Sequence, residues 1–94
     1  MNMKPTTKRL VARINWIEYP PAKSMPWPDV LVIEIHDDGT FLYGFTKDMQ
    51  CSGDTWHESD KEAKQQAAFD YGDFLGEWIE VPTDVDDPVR FVLT

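Results

Sequence analysis

Val30-Leu31-Val32-Ile33-Glu34-Ile35-His36-Asp37-Asp38-Gly39-Thr40-Phe41-Leu42-Tyr43-Gly44-Phe45-Thr46 decides the fold of this 94-residue chain. Two runs rich in β-branched and aromatic residues flank Asp37-Asp38-Gly39, the composition of a tight turn, so the stretch reads as a β-hairpin. A two-residue Asp38-Gly39 loop would pair Ile35 with Leu42 and leave both faces mixed. A three-residue turn with Gly39 left-handed pairs His36 with Thr40 instead. Leu31, Ile33, Ile35, Phe41, Tyr43 and Phe45 then share one face. A one-residue slip exchanges the faces of a strand, so this segregation selects the second register.

On the N-terminal side, Arg9 to Ile17 alternates, with Leu10, Ala12, Ile14 and Trp16 on one face, and predicts the first strand. Between it and the hairpin lies Tyr19-Pro20-Pro21-Ala22-Lys23-Ser24-Met25-Pro26-Trp27-Pro28. Its prolines forbid helix and predict a stiff, extended loop. Residues 1–7 are polar and expected to be loose.

Beyond the hairpin, residues 47–58 read as a polar loop. Ser59 and Glu62 then form a Ser-x-x-Glu capping box at the start of a helix. Ala63, Ala67 and Tyr71 follow at intervals of four, and Gly72 is placed to end the helix. The small stripe predicts close approach of this helix, over about 60–71, to the sheet. Phe69 lies off the stripe and either packs sideways or is exposed. Glu77 to Val81 predicts a fourth strand ended by Pro82, and Val89 to Leu93 a short fifth. The expected fold is a single α+β domain: a small antiparallel sheet of four to five strands with one α-helix packed on one face, in the order β-β-β-α-β(-β).

Charge narrows the function. The chain carries 17 acidic and nine basic residues, a net charge of −8. Lys4, Lys8, Arg9, Arg13 and Lys23 sit against Glu18 alone in residues 1–24, so the remainder is strongly acidic. Such a field disfavours nucleic acid and anionic membrane and favours a cationic partner. Asp70, Asp73, Glu77, Glu80, Asp84, Asp86 and Asp87 follow one another with no base between them, and form the candidate acidic face. Tyr19 and Trp27 on the proline loop are candidate aromatic anchors, a residue type enriched at interface hot spots. These features predict a non-enzymatic module of the inhibitor, immunity or adaptor type that binds a protein with a basic face, as a monomer or weak dimer.

A second reading centres a small ligand site, metal site or minor enzyme on Cys51, Asp54, His57 and Glu58. A Cys51–His57 pair has the residue types of a nucleophile and its base, but the acidic surroundings oppose thiolate formation. With one cysteine and two histidines the chain lacks the ligands of the common structural zinc sites. Asp84-Val85-Asp86-Asp87-Pro88 fails as a calcium loop, because Pro88 stands near the place of the required glycine. The glycines are scattered singly, so no phosphate cradle is indicated. No metal, cofactor or catalytic residue is expected. Cys51 is the only cysteine, which forbids an intramolecular disulfide. The first twenty residues lack an apolar secretory core and no apolar run is long enough to span a bilayer, so a cytoplasmic location is expected.

Gly53-Asp54-Thr55-Trp56-His57-Glu58-Ser59, with Glu62, Ala63, Gln66, Ala67, Phe69, Tyr71-Gly72 and Trp78, resembles a group of small uncharacterised bacterial proteins. These carry an Asp-Thr-Trp-His loop before an Ala- and Gln-containing helix. The resemblance covers about residues 53–82, implies a bacterial origin, and brings no activity with it.

Overall fold

The computed structural model describes residues 8–21 and 26–93. The expected loose segment 1–7 and positions 22–25 of the proline loop lie outside the described residues. Five strands, β1 (Lys8–Arg13), β2 (Val30–His36), β3 (Gly39–Phe45), β4 (Cys51–His57) and β5 (Ile79–Glu80), form one antiparallel sheet in the spatial order β4-β3-β2-β1-β5. Helix α1 (Asp60–Tyr71) covers one face and the short helix α2 (Pro88–Leu93) the other. The α+β class and the antiparallel sheet follow the sequence expectation.

The order in detail does not: it is β-β-β-β-α-β-α. Residues 51–57, expected as loop, form strand β4. Its composition is polar because it is an edge strand, flanked by β3 on one side only, and most of its side chains are exposed. The expected last strand, Val89 to Leu93, is helix α2. Pro88 occupies the first helical position, where its missing N–H costs nothing, and the Asp87 carboxylate accepts the Arg90 N–H at 3.1 Å. These local caps override the β propensity of Val-Arg-Phe-Val-Leu. The first strand ends at Arg13, continuing only as an isolated bridge from Ile14 to Leu75. The expected fourth strand, Glu77 to Val81, is reduced to Ile79 and Glu80.

The hairpin register also differs. His36 pairs with Gly39, Ile35 with Thr40 and Val30 with Phe45, one residue away from the expected pairing. The expectation assumed that one face alone would be apolar, but this sheet is dry on both. Leu10, Ile14, Leu31, Ile33 and Leu42 pack beneath Ala63 and Ala67 of α1. Val11, Val30 and Val32 pack on the reverse side against Val81 and Val89. Neighbouring positions of β2 are therefore all apolar, and polarity does not discriminate between registers.

Helix α1 forms as its caps dictate. The Glu62 N–H donates to Ser59 Oγ at 3.2 Å, and the Glu62 carboxylate reaches back to the Glu58 N–H at 3.2 Å. Gly72, at φ 54°, ends the helix and starts a 3-10 turn to Phe74. Ala63 and Ala67 are fully buried, while Phe69 is 85% exposed.

Candidate binding surface

The four residues of the loop-centred reading do not converge. Cys51 and His57 stand at opposite ends of β4, about 20 Å apart along an extended strand. Cys51 is exposed. His57 is buried beneath the start of α1 with both ring nitrogens engaged: Nε2 lies 2.7 Å from Thr55 Oγ1 and Nδ1 3.5 Å from Glu62 Oε1. That is a histidine fixing the strand-to-helix junction. Glu58 is exposed beside it, and Asp54 is exposed at mid-strand opposite Tyr43. Among the described residues no three His, Cys, Asp or Glu side chains converge as metal ligands would.

The acidic residues are divided by the sheet. Asp70 lies at the end of α1 and Asp73 in the 3-10 turn, on the helix-α1 side. Asp84, Asp86 and Asp87 precede α2 on the reverse side, where Val85 joins the second core. Glu77 and Glu80 are exposed at the β5 edge, and Glu80 lies 3.6 Å from the Lys8 ammonium. Asp70 accepts from the Gln66 amide at 3.1 Å. It also borders a cleft of about 220 Å³ shared with Leu42, Ser52, Asp54, Thr55 and Tyr71. Burial, and secondarily the Asp70 charge, hold the Tyr71 hydroxyl above its ordinary pKa.

Tyr19 and Trp27 are tied into the fold. Both rings pack around Trp16, with centroids 5.9 and 5.7 Å away, and Phe74 closes the group at 5.1 Å. Trp16 and Trp27 donate their indole N–H groups to the carbonyls of Pro28 and Pro21 at 2.8 and 3.0 Å. The Tyr19 hydroxyl donates to Asp29, an interaction that raises the tyrosine pKa. The carboxylate's other oxygen accepts the Lys47 N–H at 2.9 Å. These aromatics hold the described ends of the proline loop, 19–21 and 26–28, against Trp16.

A different aromatic group stands on the reverse face. Helix α2 lies over β1 and β2, and the outer half of this face presents the side chains of β3 and β4. Phe41, Tyr43 and Phe45 form a half-buried row with centroid spacings of 6.0 and 6.1 Å, and His36 meets Phe41 edge-on at 5.7 Å. Trp56, 54% exposed, is the cross-strand partner of Phe41. Carboxylates border the row on both sides: Glu34 opposite Phe41 on β2, and Asp54 opposite Tyr43 on β4. Desolvation and the charges of Glu34, Asp54 and Cys51 raise the Tyr43 pKa. The site is thus a flat aromatic strip in a negative field. Its sequence signal was the alternation Phe41-x-Tyr43-x-Phe45, which a one-sided sheet assigns to the core.

No helix of the described residues is long and apolar enough to cross a membrane. No protein-family model, curated protein or solved structure matches the chain.

Proposed function

We propose that this chain is a non-enzymatic α+β module that binds a cationic segment of another protein, in the cytoplasm of a bacterium, as a monomer or weak dimer. The observation that carries the reading is the aromatic row Phe41–Tyr43–Phe45 with Trp56, left beside α2 and bordered by Glu34 and Asp54. Aromatic faces attract lysine and arginine through the ring quadrupole, and nearby carboxylates add charge complementarity that selects the partner and speeds encounter. The net charge of −8 works in the same direction over longer range.

The test is affinity capture from a bacterial lysate with the wild-type chain and a Glu34→Lys/Asp54→Lys variant, at low salt and at about 0.5 M salt, where charges are screened within a few ångströms. Retention of a basic protein by the wild type at low salt, with loss at high salt and in the variant, is the expected result. Equal capture by the variant removes this surface from the reading, and absence of any salt-sensitive basic partner overturns the reading itself.

A further inference from the structure

Which backbone groups of β4 face outward follows from the pairing. The Val81 N–H donates to the Arg9 carbonyl at 2.9 Å and the Gly76 N–H to the Arg13 carbonyl at 2.8 Å, so the odd-numbered residues of β1 bond away from β2. Lys8, Leu10 and Ala12 therefore bond toward β2, to Ile35, Ile33 and Leu31, and Val30, Val32, Glu34 and His36 bond toward β3, because successive residues alternate between neighbours. Their partners Phe45, Tyr43, Phe41 and Gly39 bond back. This leaves Thr40 and Leu42 to bond toward β4, opposite His57 and Thr55. Asp54 and Trp56 then direct their N–H and C=O groups away from the sheet, along an edge that no described strand covers.

We propose that this edge accepts a sixth strand: an extended segment of another protein bearing lysine or arginine at alternate positions. The inference rests on the cation-binding reading above and specifies the conformation of the bound segment. Residues of the incoming strand that lie opposite Trp56 and Asp54 are two apart and share the face of the aromatic row. A cation at the first meets an indole, and a cation at the second meets a carboxylate. The intervening residues fall on the side of Gly53 and Thr55, where small or β-branched side chains fit.

Charge decides between a basic strand and a second copy of this chain. Residues 47–60 carry Asp48, Asp54, Glu58 and Asp60 against Lys47, so two copies paired through β4 would bring like charges together. The register shift between Tyr43 and Phe45 also interrupts the β3–β4 ladder. Charge and a bulge are the devices that guard an open edge against self-pairing. An acidic guard excludes an acidic copy and admits a basic strand.

The probe is a peptide of roughly ten residues, a typical strand length, alternating lysine and valine, titrated into the 15N-labelled chain. A second peptide with alternate amides N-methylated keeps the charge and removes the edge donors. A third replaces lysine by glutamate. The expected result is that the lysine peptide shifts the Asp54 and Trp56 amides and gives cross-strand contacts to β4. N-methylation should weaken it by about tenfold or more, and the glutamate peptide should not bind. Equal binding of the N-methylated peptide, or shifts on Phe41–Phe45 without β4, overturns strand addition and leaves cation binding standing. Absence of binding by either lysine peptide overturns both. Concentration-dependent dimerisation that moves the same two amides gives the edge to a second copy and overturns the proposal.

Discussion

The Trp56 indole occupies the space that a side chain on Gly39 would need: a Cβ built there falls 2.0 Å from Nε1. Gly39, at φ 155°, closes the β2–β3 turn, and the indole of an edge strand seals it. Gly39→Ala therefore has to expel the tryptophan as well as strain the backbone. The variant should lose about 2–3 kcal/mol in urea unfolding, and its tryptophan emission should shift toward that of a solvated indole.

Met49 shows the opposite case. It takes φ 71° in the β3–β4 turn, a left-handed position that glycine fills without penalty. The turn is closed by the Thr46 N–H to Gln50 carbonyl bond at 2.9 Å and the Met49 N–H to Thr46 carbonyl bond at 2.9 Å. Because half of Met49 is exposed, its truncation removes little packing. Met49→Gly should raise the unfolding free energy by about 0.5–1 kcal/mol, seen as a higher urea midpoint at unchanged slope.

His57 is expected to matter for stability alone. Removing its buried ring takes a contact from the Thr55 hydroxyl and from the Glu62 carboxylate, which keeps the Glu58 N–H, and leaves a void beneath the start of α1. His57→Ala should cost about 1–3 kcal/mol while the folded variant still captures the same basic protein. Loss of capture in a variant that remains folded would return the residue to a binding site.

Tyr71 gives a pH dependence whose sign is fixed by its raised pKa. In the unfolded chain the phenol ionises near its ordinary value of 10.0, whereas burial and Asp70 keep the folded phenol protonated to higher pH. The stability it contributes is complete below pH 10 and is lost as the pH rises through the folded value. Tyr71→Phe should flatten the decline in unfolding free energy above that point. Tyr43 and Tyr19, both also raised, should leave a residual slope. Denaturant titrations at stepped alkaline pH provide the check.

These residues also mark how far the sequence could be read. Helix α1 was legible to the residue, since its stop and start signals, Ser59, Glu62 and Gly72, act locally. The existence of the β2–β3 hairpin was equally plain. Its register was not, because Val30, Val32, Leu31 and Ile33 are all buried and alternate between two dry faces. Strand β4 was hidden twice over. An edge strand need not be apolar, and the turn before it uses Met49 where glycine would have announced a hairpin. Helix α2 did carry a signal, Asp87-Pro88, outweighed in a local reading by the β-prone residues after it. The binding surface was visible as alternating aromatics, but which side of the sheet they occupied depended on the register. Tyr19 and Trp27 read in the sequence as anchors on one loop, while their attachment to Trp16 is a tertiary fact that no local pattern encodes.

Strand β1 lies between β2 and β5, and the Arg9 guanidinium donates to the carbonyls of Pro82 and Val85, 73 and 76 residues further along the chain. During synthesis, therefore, β1 waits for β5 and for residues 82–85 until β2, β3, β4 and α1 have been translated. Until residues 81–93 emerge, Val11, Val30 and Val32 lack the cover of Val81 and Val89 and keep only Tyr43 and Phe45 beside them. Closing so long a loop is slow relative to forming the hairpins. Between those two events the apolar reverse face of the sheet is open, and this small acidic chain is most exposed to aggregation.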